Sequence, residues 1–224
     1  MSLIDRLLAG FAPHNCLACG LEAGLLCSSC LQSLQPALER CYRCNNFSEA
    51  FKTCLDCLAN TPLLAARSAA AYGGVAKDLV RHVKFSGVQI AAKIMAQRMI
   101  AMNTNFLKNS EFVVVPVPTA TSRVRQRGYD QAKLLAKELA WQAKLPYLDC
   151  LVRMGQAHQV GASRAERLRQ LESALRVKKP RTVRNRHILL IDDVLTTGAS
   201  VSAAAIVLRS AGATRIEALT FAQA

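Results

Sequence analysis

Long apolar runs are missing from this 224-residue chain. No stretch approaches the ~20 residues that a membrane-spanning helix needs. The opening residues, Met-Ser-Leu-Ile-Asp-Arg-Leu-Leu-Ala-Gly-Phe, are too few and too charged for a secretory leader. They read as a short amphipathic helix, and a soluble cytoplasmic protein is expected. Aromatic residues are scarce, at 5% with a single Trp, so a surface that binds bases by stacking has few platforms to use. Acidic residues are scarce as well: 15 Asp and Glu stand against 29 Lys and Arg, for a net charge of +14. The imbalance is local. Residues 121–190 hold 16 Lys and Arg but 5 Asp and Glu, a surplus of 11 positive charges. Such a field attracts polyanions and steers them on approach, and it suits a small, highly charged phosphate ester equally well. What is present is a 51% hydrophobic composition, enough for a real core, in a length that fits one medium domain plus a small module.

The most informative stretch is 188–200, Ile-Leu-Leu-Ile-Asp-Asp-Val-Leu-Thr-Thr-Gly-Ala-Ser. Four apolar residues predict a fully buried parallel strand. Asp192 and Asp193 stand at its C-terminal end. Val194, Leu195, Thr196, Thr197, Gly198, Ala199 and Ser200 then lead into a helix expected over 199–211. Loop N–H groups and hydroxyls at a positive helix N-terminus suit a phosphate. Two carboxylates can accept hydrogen bonds from neighbouring hydroxyls, as on a ribose. Beside a phosphate they also suit Mg²⁺, directly or through water. A plainer reading exists: strand, polar turn and helix recur in every α/β protein, and an Asp-Asp pair can simply cap a helix. Hydrophobic run, acidic pair and Thr-Thr-Gly-x-Ser in one register favour ligand binding. The stretch resembles the signature for 5-phosphoribosyl-1-pyrophosphate (PRPP) in type I phosphoribosyltransferases.

Eight of the nine cysteines form four Cys-x-x-Cys pairs: Cys16 and Cys19, Cys27 and Cys30, Cys41 and Cys44, Cys54 and Cys57. Each pair can make a knuckle in which two thiolates converge on one ion. Four thiolates around Zn²⁺ form a closed, tetrahedral, structural site, so two structural Zn²⁺ sites are implied. The gaps between pairs suit small hairpins carrying a knuckle at each end, which favours Cys16/Cys19/Cys27/Cys30 and Cys41/Cys44/Cys54/Cys57; a cross-braced arrangement is the alternative. Disulfides are the competing reading, and the absence of a leader argues against an oxidising compartment. Zinc here would take the place of a core in a segment too short to bury one. Cys150 lies on an apolar stretch and is expected to be buried.

Thr61-Pro62 closes the cysteine module, placing a boundary between 1–62 and 63–224. Strands are expected over 65–72, 111–117, 147–152, 174–178, 187–191 and 214–222, with helices over 75–84, 89–102, 131–143, 164–171 and 199–211. The alternation gives an α/β fold with a mostly parallel sheet flanked by helices, which binds ligands at the C-terminal strand edge. Pro116, Val117, Pro118 and Thr119 leave a strand at that edge, as does the acidic loop. Arg123, Arg125 and Arg127 alternate, so in an extended loop they project to one side, where guanidiniums grip pyrophosphate or a nucleic-acid backbone. The 158–171 stretch adds Arg164, Arg167 and Arg169.

Taken together, these motifs resemble the ComF/GntX family, double zinc ribbons joined to a phosphoribosyltransferase-like domain. The resemblance is carried by the paired Cys-x-x-Cys ribbons, Leu79 with Lys84-Phe85 and Gly87, Val115-Pro116-Val117-Pro118, Arg127-Gly128-Tyr129-Asp130-Gln131, Arg164 with Glu166-Arg167, and the PRPP-type loop. Tyr129-Asp130 stands where the family usually has Phe-Asn, which adds a negative charge beside the arginines. The resemblance implies a type I phosphoribosyltransferase fold able to hold PRPP with Mg²⁺. It also implies a competence role in natural transformation: handling incoming single-stranded DNA together with a helicase-like partner and recombination factors. An active phosphoribosyltransferase with an unidentified acceptor is the second reading. Candidate PRPP ligands are residues 116–119 and 192–200 with Lys84 and Arg127 as cations. Candidate DNA contacts are Arg123, Arg125, Arg127, Arg164 and Arg167.

Metal analysis of the purified protein should find two Zn²⁺ per chain, and chelation should unfold residues 10–60 while leaving the rest folded. Zero zinc with intact disulfides would overturn the ribbon assignment.

Overall fold

The computed structural model describes residues 15–85, 88–108, 110–154 and 164–224. The expected N-terminal amphipathic helix, His158 and Gly87 lie outside them. So do the side chains of Phe85, Arg164 and Arg167.

Four strands form one parallel sheet: β1 (Ala66–Ala71), β2 (Phe112–Pro116), β5 (His187–Leu195) and β6 (Arg215–Gln223), in the spatial order β1-β6-β5-β2. A separate antiparallel ribbon pairs β3 (Leu151–Arg153) with β4 (Leu175–Val177). The expected strand over 147–152 is split. Tyr147 makes a single parallel bridge to Val114, and the chain then leaves for the ribbon.

The central strands are apolar at successive positions, and the pleat sends alternate residues to opposite faces. Leu189 and Ile191 pack on one face with Val114, Leu219 and Phe221. Covering them are α3 (Gly74–Phe85), α4 (Val88–Met102) and α7 (Gln131–Ala143), through Leu79, Met95, Met99, Leu135 and Leu139. Ile188 and Leu190 pack on the other face under α9 (Ala199–Ser210), with Leu151 and Leu175 of the ribbon and the buried Cys150. Cys150 is core, as expected, and burial pushes its thiol up to about 11.

The cysteine segment carries two short helices, α1 (Ser28–Gln32) and α2 (Leu55–Leu58), and it is continuous with this core. Leu25 and Leu34 join the first apolar cluster, and Tyr42 and Leu63 the second. Backbone bonds run from Thr53 N–H to Leu64, from Leu64 N–H to Ile216, and from Ala71 N–H to Gln35. Unfolding residues 15–60 would therefore remove Leu25 and Leu34 from one cluster and Tyr42 from the other.

The arginine stretch also differs from its expectation. Thr121–Arg127 is a helix, α6, ended by Gly128 at φ 82°, whose N–H donates to Val124. The stretch holds no helix breaker before that glycine. On a helix, Arg123 and Arg127 share a face one turn apart, while Arg125 points away. The three therefore do not form one row. Two other helices complete the set, α5 (Thr104–Leu107) and α8 (Arg164–Ala174). Among the described residues no helix is long and apolar enough to cross a membrane.

Leu190 is fully buried between β5 and α9. Leu190→Ala should cost about 3 kcal/mol of stability through lost transfer energy and a residual cavity. Urea denaturation should show this as a lower midpoint with an unchanged slope.

Candidate functional site

Pairing of β5 with β2 stops at Ile191 opposite Pro116, whereas pairing with β6 continues through Asp192, Val194 and Leu195. The strand is thus longer than the sequence pattern indicates, because β6 supplies partners beyond the apolar run. Past Ile191 its other edge is open, since Pro116 and Pro118 cannot donate to a ladder. Val117 N–H makes the last bond, to Ile191, at 2.9 Å. A cleft of about 200 Å³ fills that opening.

The cleft is lined by Val117, Pro118 and Thr119 on one side and by Asp192, Asp193, Val194, Thr196 and Ser200 on the other. Lys84 and Arg123 reach it from α3 and α6. Leu195, Thr197, Gly198 and Ala199 wall an adjoining hollow of about 30 Å³ at the start of α9. Pro116 is not at the surface of the cleft; it is buried as the last residue of β2. Arg127 is not there either. Its Nη1 donates to Gln131 Oε1 at 2.8 Å, and Gln131, 4% exposed, is the group that faces the cleft. Arg125 is exposed outside it.

The acidic pair is held by one lysine. Asp193 is 6% exposed and pairs with Lys84 Nζ at 3.0 Å. Its backbone N–H donates to Asp192 Oδ1 at 2.9 Å. Burial, and then the neighbouring Asp193 charge, push the Asp192 carboxyl well above the usual carboxylate range, with Lys84 opposing them. A pair of this kind carries one negative charge readily. It carries the second when a cation or hydroxyl donors arrive.

Arg153, at the end of β3, was not singled out by sequence; a lone arginine in Leu-Val-Arg-Met gives no signal. It lines the cleft, its buried Nε has no hydrogen-bond partner, and burial followed by the nearby Arg123 disfavours its charge. Two like charges and an unpaired buried donor at a cleft form a receptor for an anion.

Asp130 also has a role beyond the charge it adds to its motif. Its Oδ1 accepts from Ala132 N–H at 3.0 Å and Lys133 N–H at 3.3 Å, capping α7. The same carboxylate accepts from Thr119 N–H at 3.2 Å and Thr119 Oγ1 at 2.9 Å. Asp130 thereby pins the proline loop to α7. The preceding Tyr129 donates its hydroxyl to the carbonyl of Val83, next to Lys84. The Arg-Gly-Tyr-Asp-Gln motif is thus a brace joining three walls of the cleft.

The eight cysteines assemble in sequential order. In Cys16/Cys19/Cys27/Cys30 and in Cys41/Cys44/Cys54/Cys57 the sulfur atoms all lie within 4.8 Å of one another. The contacts of 3.7 Å between Cys19 and Cys27 and 3.6 Å between Cys44 and Cys54 are too long for disulfides. Knuckle N–H groups point at sulfur, as from Cys27 to Cys16 and from Cys30 to Cys27, both at 3.4 Å. Burial opposes a thiolate at Cys16 and Cys41, yet converging backbone N–H groups bring both down to about 6. Cys30, facing Cys27 sulfur, and Cys57, through desolvation and then the Cys54 sulfur, are pushed up to about 12. Four thiols this close cannot all ionise unaided; a tetrahedral divalent ion fits both clusters.

If Asp130 is the brace described, Asp130→Ala should lower stability by about 1–2 kcal/mol, the worth of a lost cap plus the Thr119 bonds. Asp130→Asn, which keeps an acceptor oxygen, should lie within about 0.5 kcal/mol of wild type. Thermal unfolding of the three proteins decides this.

Residues 85–224 match the phosphoribosyl transferase domain model. Competence protein ComFC of Bacillus subtilis (strain 168) is 29% identical over 198 residues, spanning 84% of this chain and 79% of that protein. ComFC of Streptococcus pneumoniae (strain ATCC BAA-255 / R6) is 28% identical over 84% and 83% of the two chains. DNA utilization protein YhgH of Escherichia coli (strain K12) is 27% identical over 92% and 95%. Among solved structures, the glutamine PRPP amidotransferase from B. subtilis overlays 63% of this chain and 30% of its own, with 20% identity and a TM-score of 0.45. With a parallel sheet, an acidic pair at its open edge and two four-cysteine clusters, the chain belongs to the phosphoribosyl transferase domain family, in its ComF-type competence-protein branch.

Proposed function

We propose that this protein handles incoming single-stranded DNA during natural transformation and holds PRPP with Mg²⁺ in the cleft beside Asp192 and Asp193. The observation that carries the ligand reading is the pairing of two opposite environments in one cleft: an acidic pair for ribose hydroxyls and metal, and cationic groups, with the Arg153 Nε unpaired, for pyrophosphate. In this reading the cysteine module over 1–62 binds two structural Zn²⁺, and the domain over 63–224 binds the ligand.

Each part of the ligand has chemistry to meet. Asp192 and Asp193 accept from the ribose 2- and 3-hydroxyls. Loop N–H groups of 196–200 and the Thr196, Thr197 and Ser200 hydroxyls donate to the 5-phosphate at the start of α9. Lys84, Arg123 and Arg153 take the pyrophosphate. Mg²⁺, when bound, neutralises pyrophosphate and draws off the second charge of the acidic pair. Proton-transfer chemistry is not required for binding, and no base-recognition motif is visible in the sequence.

DNA contact falls to the arginines of the basic stretch: Arg123 and Arg125 of α6, then Arg164 and Arg167 of α8. With aromatics scarce, phosphate contacts dominate, so affinity should fall steeply with salt, by roughly 0.7 in the log-log slope per phosphate contacted. A helicase-like protein and recombination factors are the partners that fit this role. The second reading, an active phosphoribosyltransferase, draws support from the same cation set, which would stabilise departing pyrophosphate.

Calorimetric titration should show Mg²⁺-dependent PRPP binding. Arg153→Gln should weaken it by roughly tenfold or more, the worth of a charge-assisted hydrogen bond. Single-stranded DNA titrated at low and high salt should lose affinity as salt rises. A salt-independent affinity overturns the DNA reading, and no PRPP binding overturns the ligand reading. Turnover of PRPP with a panel of nucleobases and amines, abolished in Asp193→Asn, would establish the transferase.

A further inference from the structure

Gly198 sits at the turn of the phosphate loop and caps α9 at φ 72°, a conformation that suits glycine. One wall of this turn is not part of the phosphoribosyltransferase domain. A Cβ placed on Gly198 would lie 2.4 Å from Tyr42 Cδ2 and 2.9 Å from Cε2, so the tyrosine ring lies against the backbone of the loop. Tyr42 is the residue after Cys41, inside the second cysteine cluster.

The ring is 6% exposed, and its hydroxyl is tied at both ends. Ser202 Oγ, one turn into α9, donates to Tyr42 Oη at 3.0 Å, and Tyr42 Oη donates to Thr61 Oγ1 at 2.8 Å. Thr61 Oγ1 also accepts from Leu63 N–H at 3.2 Å. Ser202 N–H in turn donates to Gly198 at 2.9 Å. The chain of contacts therefore runs from a metal-type knuckle, through one tyrosine, to both the turn and the first turns of the helix that would face a phosphate. Cys41 is fully buried, so the knuckle cannot relax without moving its neighbour. The first cluster makes no such approach among the described contacts; Leu17, Leu25 and Leu26 pack instead on the other apolar cluster.

We infer that Tyr42 is a positioning residue for the phosphate loop, and that occupancy of the Cys41/Cys44/Cys54/Cys57 site is thermodynamically coupled to binding of a sugar-phosphate at 196–200. The coupling rests on the proposed ligand reading and adds to it a second site that sets the loop. The metal organises the knuckle, the knuckle seats the ring, and the ring presses the turn into the geometry in which its N–H groups converge. By linkage the effect is reciprocal: phosphate bound at the loop holds the ring, and the ring holds the knuckle closed on its metal.

Hydrogen–deuterium exchange on the full-length, zinc-loaded, ligand-free protein tests the physical link without assuming any ligand. Tyr42→Ala should raise exchange in 196–202 by about tenfold or more, with zinc content and protection in β2 unchanged. Tyr42→Phe, which keeps the ring but loses the Ser202 and Thr61 bonds, should raise it by a smaller factor confined to the same peptide. Phe47→Ala, on the same hairpin and 80% exposed, should match wild type. In wild type, saturating ribose 5-phosphate should also slow zinc release from the second cluster to a chelator, and the slowing should vanish in Tyr42→Phe. Wild-type exchange at 196–202 in Tyr42→Phe, or zinc release indifferent to ribose 5-phosphate that does bind, overturns the inference. If Tyr42→Ala loses zinc and protection throughout, Tyr42→Phe decides alone. Failure of wild type to bind ribose 5-phosphate or PRPP overturns the ligand reading instead, and the ligand-free exchange result stands separately.

Discussion

Two carboxylates on neighbouring residues at the end of a buried strand repel one another, and much of the cleft is arranged around that repulsion. Asp193 is paired with Lys84 at 3.0 Å, while burial and the adjacent charge drive Asp192 toward its protonated form. The strand that carries them stays ordered because β6 pairs with it on one side beyond the point where β2 has left. Remove Lys84 and two acids share one desolvated corner; remove β6 and the strand ends at Ile191, with no acidic edge facing a cleft. Arg123 and Arg153 line the same cleft, where burial and then the Arg123 charge disfavour the charge on Arg153. Acid–acid and cation–cation tension thus stand in the lining of one cleft.

Around this cleft the chain uses braces rather than bulk. The Arg-Gly-Tyr-Asp-Gln motif joins α6, α7, the end of α3 and the proline loop through Gln131, Tyr129 and Asp130. Tyr42 joins the second cysteine cluster to the turn at Gly198 and to the start of α9. Each brace is one side chain bridging elements far apart in sequence, so local changes in either element are transmitted to the cleft. The same continuity appears in the core, where Leu25 and Leu34 from the cysteine segment sit beneath helices of the larger domain.

Much of this was legible because the signals are local. A run of four apolar residues followed by an acidic pair and Thr-Thr-Gly reads as strand, turn and helix, and β5 and α9 lie there. Cys-x-x-Cys spacing reads as knuckles, and the sequential clusters match it. The arginine row was misjudged for a physical reason. Alternation matters in a strand, and the same residues on a helix fan out at about 100° per position. Arg153 was missed because neither type nor spacing marks it; Asp130 was read only as a charge within its motif, although an Asp directly before a helix is a cap signal. They matter through what folds against them: Arg123 beside one, Thr119 beside the other.

By itself the sequence determined the element types, the metal-type clusters and the phosphate-type loop, since each depends on residues within 16 positions of one another. Only the tertiary structure decided which cations face the acids, where β5 ends, and that a ribbon tyrosine walls the loop. Those follow from strand order and from packing between residues more than a hundred positions apart, such as Tyr42 with Ser202. No local pattern encodes such pairings, because what brings the two residues together is burial of the apolar surface they share.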